Sequence, residues 1–355
     1  MRRRGPLVGL LLASCVAAQA PSTVPSTAPT STRSPASPPE PTATLLEPAR
    51  RVGTLALGGT PLGIAIAEPR ARAFVRTKDA VIVVDTTPPG TIRTTIPLPD
   101  GVQDGVAYDE SYGQAFATTT DGKIAVIAPQ RQDLPVVVDT LATGRAIGAL
   151  AADSRSHRLF ALAPDALVVV NENTRRVVAT LGVPRPAWGL AVNASTGRVF
   201  VVGDGAGPAD SAYVAVYDAD LLRQVTTVGV ERSQSLALDT THNVLYLGTL
   251  TEGVHYPRLT IFDARTAQAS TFVWTTAALA MVAVNGQLAH LYVADERGNL
   301  SFAYGVPSGQ ATGTFGAAVS LGSPARVLAA DPRQRLILAG LENGDFLMLD
   351  DRVLF

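Results

Sequence analysis

Two long polar stretches near the middle of the sequence collect the residue types that bind ligands. They are "GDGAGPADSA" at 203–212 and "GTLTEGVHYPR" at 248–258, and the shorter "GVPRPAW" at 182–188 and "GVERSQ" at 229–234 accompany them. Together they supply carboxylates, an imidazole, aromatic rings and guanidinium groups: Arg185, Trp188, Asp204, Asp210, Arg232, Glu252, His255, Tyr256 and Arg258. Aromatic rings and arginines are typical anchors of binding interfaces, so these residues are predicted to form one ligand-binding face. The other interpretation is that they are solvated turn residues, with Trp188 packed inside.

The sequence contains no recognisable catalytic or metal-binding pattern. Asp204 and Asp210 offer oxygen ligands for Ca²⁺, but their spacing matches no EF-hand loop. His157, His242 and His290 lie in or beside separate turns and are predicted to be exposed to solvent. Neither a nucleophile-elbow sequence nor a phosphate-binding loop is present. The sequence therefore predicts no catalytic residue, no metal and no cofactor.

The bulk composition limits the class of protein. The chain has 355 residues, a net charge of −1, 46% hydrophobic residues and 17% charged residues. This composition excludes global disorder and gives no basic excess for binding nucleic acid. A single cysteine, Cys15, excludes an intramolecular disulfide, so the fold must be held by packing or by topology.

The elements that position these residues follow from an internal repeat. Each copy has a marker residue that ends a short alternation of apolar residues. The seven markers are Ala67, Asp109, Asp153, Asn193, Asp239, Asn285 and Asp331, which lie 40 to 46 residues apart. Seven positions after them come Phe74, Phe116, Phe160, Phe200, Tyr246, Tyr292 and Leu338. A period of this length, repeated seven times, predicts an array of structural repeats.

Each copy contains four short apolar alternations. The third reads "AVIVVD" at 80–85 and "YVAVYD" at 213–218, and the fourth reads "RRVVAT" at 175–180. Alternation of Val, Ile and Thr between Gly, Asn and Asp indicates strands joined by tight turns. Four strands per copy predict an all-β fold, a seven-bladed β-propeller of four-stranded antiparallel blades.

The two ends of the repeat array complement each other. The last copy stops after its third strand, "DFLMLDD" at 345–351, whereas "VGTL" at 52–55 aligns with "VATL" at 178–181, a fourth strand. The N-terminal strand is therefore predicted to complete the last blade, which would remove the exposed edge of an open ring.

The sequence resembles the YVTN-type seven-bladed propeller repeats. The resemblance is carried by "TLGVPRPAWGLAVNASTGRVFVV" at 180–202, "TLALGGTPLGIAIAEPRARAFV" at 54–75 and "LTIFDARTAQ" at 259–268. The tetrad that names the repeat is replaced here by "FVVG", "YLGT" and "YVAD". The resemblance implies a propeller over most of 51–355 and a protein outside the cytoplasm that serves as a binding or scaffold module.

The N-terminus predicts export and a lipid anchor. "MRRRGPLVGLLLASC" has three Arg, a short apolar run and small residues before Cys15, and resembles the bacterial lipoprotein signal. Residues 1–14 are then the signal peptide, 15–48 a Pro/Ser/Thr-rich linker and 49–355 the propeller. A lipid on Cys15 would tether the protein to the outer side of a bacterial membrane. The alternative is cleavage after Ala18-Gln19-Ala20 and secretion.

The topology predicts which loops lie together. In an antiparallel meander the loops between second and third strands and the crossovers between blades emerge at one end, which we call the long-loop face. The sequence predicts a membrane-tethered, monomeric propeller that presents this face to a protein or cell-envelope ligand. The alternative is a lactonase-type hydrolase with a divalent metal in the central channel, and a third possibility is a purely structural unit. The first strands, such as "IAIA" and "LAVN", are small and apolar, which argues against a polar constellation in the channel.

Overall fold

The structure is a computed structural model that describes residues 51–98, 105–119, 121–130, 133–184, 186–205, 211–249, 258–273, 279–304 and 319–351. Within these residues the chain forms seven four-stranded sheets, in which neighbouring strands run antiparallel. The prediction of an all-β, seven-bladed propeller is confirmed. No helix among the described residues is long and apolar enough to span a membrane.

The strands are numbered in chain order. Blade 1 contains β2 (Pro61–Ala67), β3 (Arg72–Thr77), β4 (Ala80–Asp85) and β5 (Thr91–Pro97), and a 3-10 turn, Glu68–Arg70, joins its first two strands. Blade 2 contains β6 (Val106–Asp109), β7 (Gln114–Thr118), β8 (Lys123–Pro129) and β9 (Pro135–Ala142). Blade 3 contains β10 (Ala149–Asp153), β11 (Arg158–Ala163), β12 (Ala166–Asn171) and β13 (Arg176–Gly182). Blade 4 contains β14 (Ala187–Asn193), β15 (Arg198–Asp204), β16 (Ser211–Asp218) and β17 (Arg223–Glu231).

The remaining three blades follow the same order. Blade 5 contains β18 (Ser233–Asp239), β19 (Val244–Thr249), β20 (Arg258–Asp263) and β21 (Gln268–Val273). Blade 6 contains β22 (Leu279–Asn285), β23 (His290–Asp295), β24 (Asn299–Tyr304) and β25 (Val319–Ser320). Blade 7 contains β26 (Ala325–Asp331), β27 (Leu336–Leu341) and β28 (Asp345–Asp350), and β1 (Arg51–Ala56) pairs with the edge of β28. In that pairing Thr54 lies opposite Leu347 and Leu55 opposite Phe346.

The core lies between the blades. Seven hydrophobic clusters of described residues each combine side chains from two neighbouring blades, including blades 7 and 1. The residues seven positions after the repeat markers, from Phe74 to Leu338, are at most 3% exposed. Burial of one such side chain contributes about 1.5–3 kcal/mol, which explains why a large apolar or aromatic residue recurs there.

The turn between first and second strands has the same backbone geometry in every blade. Four positions after each marker lies a residue with φ between 50° and 63°, in the left-handed region: Ala71, Gly113, His157, Gly197, Asn243, Ala289 and Arg335. In six blades the Asp or Asn marker caps this turn with its side chain, whereas Ala67 of blade 1 makes no such bond. For example, Asp109 Oδ1 accepts the backbone N–H of Ser111 at 2.7 Å, and Asn193 Oδ1 accepts that of Ser195 at 3.1 Å. The turn that they stabilise therefore explains the recurring Asp and Asn.

Candidate functional site at the channel mouth

A cavity of about 300 Å³ opens where the innermost strands of the seven blades begin, at the long-loop face. We call it the mouth cavity. Each blade contributes residues to its lining, for instance Ile64, Val106, Leu150, Leu190, Leu236, Val282 and Leu328. Its volume is at the lower end of the range for small-molecule sites.

The rim of the mouth cavity is shaped by a repeated irregularity of the innermost strands. In blade 1, Pro61 pairs with Thr77 and Gly63 with Arg76, so that Leu62 has no partner of its own. The same register shift occurs in blades 4 to 7. The residues without a partner there are Trp188, Gln234, Ala280 and Arg326. We call these five positions the bulge ring. A β-bulge redirects side chains and is common at the rims of barrels and beside active sites.

Four members of the bulge ring line the mouth cavity: Leu62, Trp188, Gln234 and Arg326. Trp188 is half-buried and packs against the core between blades 4 and 5. The Arg326 side chain is 57% exposed, and its Nε lies 2.9 Å from Oε1 of Glu342. The bulge thus places an indole, an amide and a guanidinium around an opening that exposes both polar and apolar surface.

A buried hydroxyl group also lies in the lining. Ser235 follows the bulge residue of blade 5 and is 6% exposed, yet its Oγ has no hydrogen-bond partner among the described residues. A buried polar group without a partner costs free energy, on the order of 1–3 kcal/mol, so each such group needs an explanation.

The structure describes four of the nine residues that were predicted to form one binding face, namely Trp188, Asp204, Arg232 and Arg258. Trp188 lines the mouth cavity, whereas Asp204, Arg232 and Arg258 do not. Asp204 is exposed at the end of β15, Arg232 is exposed between β17 and β18, and Arg258 binds Glu231 at 2.7 Å. The other members of the predicted face, Arg185, Asp210, Glu252, His255 and Tyr256, lie outside the described residues, as does the predicted lipidation site Cys15.

Gln234, Ser235 and Arg326 are site residues that the sequence reasoning missed. For Gln234 and Arg326 the internal repeat contains a signal, namely their distance from the repeat marker. Gln234 lies five positions before the marker Asp239, and Arg326 lies five positions before Asp331, just as Trp188 lies five positions before Asn193. Comparison of the copies at this offset would have placed all three residues at equivalent points of the ring.

The end of the propeller opposite the mouth cavity carries buried polar groups between blades. His290 is 9% exposed there, and its Nδ1 lies 3.0 Å from Oδ1 of Asp351. The prediction that His290 is exposed to solvent is therefore wrong, because the residue after β28 covers it. Asn285 donates to the other oxygen of Asp351 at 2.6 Å, and the Tyr292 hydroxyl also donates to this carboxylate. Burial raises the pKa of Tyr292, and the charge of Asp351 raises it further.

A pair of carboxyl groups lies between blades 2 and 3 at the same end. Glu172 is 6% exposed, and burial together with the neighbouring Asp109 raises its pKa to about 10. Burial alone would raise the pKa of Asp109 too, but the neighbouring Glu172 and Ser154 side chains, together with hydrogen bonds from Ser111, outweigh it and lower that pKa. Glu172 is therefore the protonated member of the pair at neutral pH. In the part of the chain that the structure describes, no three His, Cys, Asp or Glu residues are placed to hold a metal ion.

Comparison with known proteins supports the fold and goes no further. No protein-family model and no curated protein matches the chain. Among solved structures, hydrazine synthase of Kuenenia stuttgartiensis is similar, with a TM-score of 0.71 and 10% sequence identity, over 83% of this chain and 96% of that chain. At this level of identity the likeness shows the propeller fold alone.

Proposed function

We propose that this protein is a binding module that holds its ligand in the mouth cavity of the propeller. The observation that carries the proposal is the bulge ring, which brings Trp188, Gln234 and Arg326 from three separate blades to one opening. Side chains from distant parts of a chain that converge on one cavity, on a rigid scaffold, are typical of ligand-binding sites.

The residues of the lining favour binding over turnover. Hydrolysis by a propeller of the lactonase type needs carboxylate, amide or imidazole groups that hold a divalent metal around the channel. The described residues of the lining include the amide of Gln234 but no carboxylate and no histidine. The hydrolase alternative therefore has no support in the described part of the cavity.

An array of cell-envelope glycans and peptides tests this function. The full chain should bind at least one member of the array, and Trp188→Ala should lose that binding. Tyr112→Ala is the matched control, because Tyr112 is an aromatic residue that is 41% exposed near the opposite end, beside His157. An array on which Trp188→Ala binds as well as the unchanged chain would contradict the proposal.

We also propose that the propeller is tethered outside a bacterial cell by a lipid on Cys15. The support is the sequence before Cys15, with its charged start, short apolar run and small residues. Cys15→Ser should release the protein from the membrane fraction into the soluble fraction. A Ser variant that stays with the membrane would contradict the lipid anchor and leave the binding function untouched.

A further inference from the structure

We propose that the ligand of the mouth cavity is a small ring compound that carries a carboxylate, of the sugar-acid class. This inference rests on the proposed function, since it names the chemistry that the same cavity would recognise. It follows from the charge of the lining, one buried hydroxyl group and the placement of an indole opposite a guanidinium.

The lining carries one cationic side chain, which forms an ion pair with a carboxylate outside the lining. Arg326 is the one charged residue among the described residues that line the mouth cavity. Its Nε lies 2.9 Å from Oε1 of Glu342, so the ion pair uses Nε and does not involve the two Nη groups. No hydrogen bond from these Nη groups is found within the described chain. Two parallel N–H groups match the two oxygens of a carboxylate, so this edge of Arg326 is a ready partner for one.

The orphaned hydroxyl of Ser235 indicates a ligand with hydrogen-bonding groups. A serine hydroxyl can donate one hydrogen bond and accept two, and at 6% exposure Ser235 has little access to water. The exposed Gln234 lies next to it in the chain, and its amide can both donate and accept. Together they form a polar arc on blade 5 that suits the hydroxyl groups of a sugar better than an entirely apolar ring.

The indole of Trp188 supplies an apolar surface on blade 4, next to the polar arc of blade 5. Trp188 and Arg326 occupy the same bulge position three blades apart in a ring of seven, so they lie nearly opposite each other across the cavity. An aromatic face accepts the flat C–H face of a ring, while Arg326 and the arc of blade 5 bind its polar edge. A sugar acid presents an apolar face, hydroxyl groups and a carboxylate in one small molecule.

The test compares two probes that differ in one group, glucuronic acid and glucose. Binding of each to the purified full chain is followed by calorimetry and by tryptophan fluorescence. Glucuronate should bind at least about tenfold more tightly than glucose, because a hydrogen-bonded charge pair exceeds the roughly 1.4 kcal/mol that corresponds to a factor of ten. Arg326→Gln should remove this preference, and Arg326→Lys should restore only part of it, since lysine lacks the planar fork.

The controls separate this inference from the proposed function. Arg297→Gln removes an exposed arginine of blade 6 that does not line the cavity, and it should keep the preference for glucuronate. Equal binding of glucuronate and glucose would overturn the inference that Arg326 recognises a carboxylate of the ligand. A preference for glucuronate that Arg326→Gln leaves unchanged would overturn it as well. No binding of glucuronate would overturn the sugar-acid class as well. In either case the proposed binding function is tested separately, by whether Trp188→Ala loses binding on the array of glycans and peptides.

Discussion

The Glu172 carboxyl group of blade 3 lies against the Asp109 carboxylate of blade 2, and both side chains are buried between the blades. Two carboxylates in such a place cannot both be ionised without a large cost, so one proton stays between them. The pair therefore couples the contact between two blades to pH.

The pH dependence of stability should reveal this proton. The pKa of Glu172 is about 10 in the folded protein and 4.5 in the unfolded chain. Between these values the folded protein holds a proton that the unfolded chain has released, so the free energy of unfolding falls as pH rises. Glu172→Gln keeps a donor for Asp109 but has no proton to lose. We expect its Tm to exceed that of the unchanged protein by an amount that grows between about pH 5 and pH 9 and reaches a few degrees.

A surface carboxylate provides the control for that experiment. Glu296 is exposed in the turn between β23 and β24, and Glu296→Gln should leave the pH profile of Tm unchanged. A Glu172→Gln variant whose profile runs parallel to that of the unchanged protein would show that Glu172 is ionised in the folded state.

The left-handed turns predict a stabilising substitution. Ala71 has φ 50° and Ala289 has φ 56°, and alanine has no side-chain polar group to offset the cost of this conformation. Glycine adopts it freely, so Ala71→Gly should stabilise the protein by about 0.5–1 kcal/mol, measured by denaturant unfolding. The reverse change in blade 2, Gly113→Ala, should destabilise, because its Cβ would also lie 2.9 Å from Nη2 of Arg70. The prediction is wrong if Ala71→Gly and Gly113→Ala change the free energy of unfolding in the same direction.

The fold could be predicted from the sequence because its determinants are local. Each strand and turn has its own pattern, and the Asp or Asn markers repeat because each caps a turn within its own blade. The burial of Phe74 and its equivalents follows from the same alternation. His290 was predicted wrongly for the opposite reason, since its burial depends on Asp351, 61 residues away in another blade.

The candidate site could be predicted only in part. The two longest loops indicated the end of the propeller at which the mouth cavity opens, and Trp188 lies in its lining, but loop length does not show which side chains face the channel. That is decided by the bulges, which arise from the register between two strands and are invisible in either strand alone. Gln234 and Arg326 share with Trp188 their distance from the repeat marker, but only the register shows that this position lines the cavity.

Arg76 should be a source of instability. Its side chain is fully buried, and Nη1 donates to the carbonyl oxygens of Thr77 at 2.6 Å and Ala80 at 3.1 Å. Nε and Nη2 have no hydrogen-bond partner among the described residues, and burial lowers the pKa of the guanidinium. Methionine has a similar volume and no charge, so Arg76→Met should stabilise the protein by about 1–3 kcal/mol in denaturant unfolding. Arg76→Lys keeps the charge and should bring no such gain. Strong destabilisation by Arg76→Met would mean that an anionic group meets the guanidinium in solution.

The contact of β1 with blade 7 can be tested at one glycine. Gly53 lies in β1, where an added Cβ would come within 2.2 Å of the Pro89 carbonyl oxygen and 2.6 Å of Met348 Cε. Gly53→Ala should therefore push β1 away from β28 and destabilise the protein by about 1–3 kcal/mol. Gly182→Ala is the control, because nothing lies within 4 Å of the Cβ that it would add at the end of β13. If the two variants unfold at the same denaturant concentration, β1 does not pack on blade 7 in solution. If Gly53→Ala alone unfolds early and in a single cooperative transition, the N-terminal strand stabilises the whole ring and not merely its own blade.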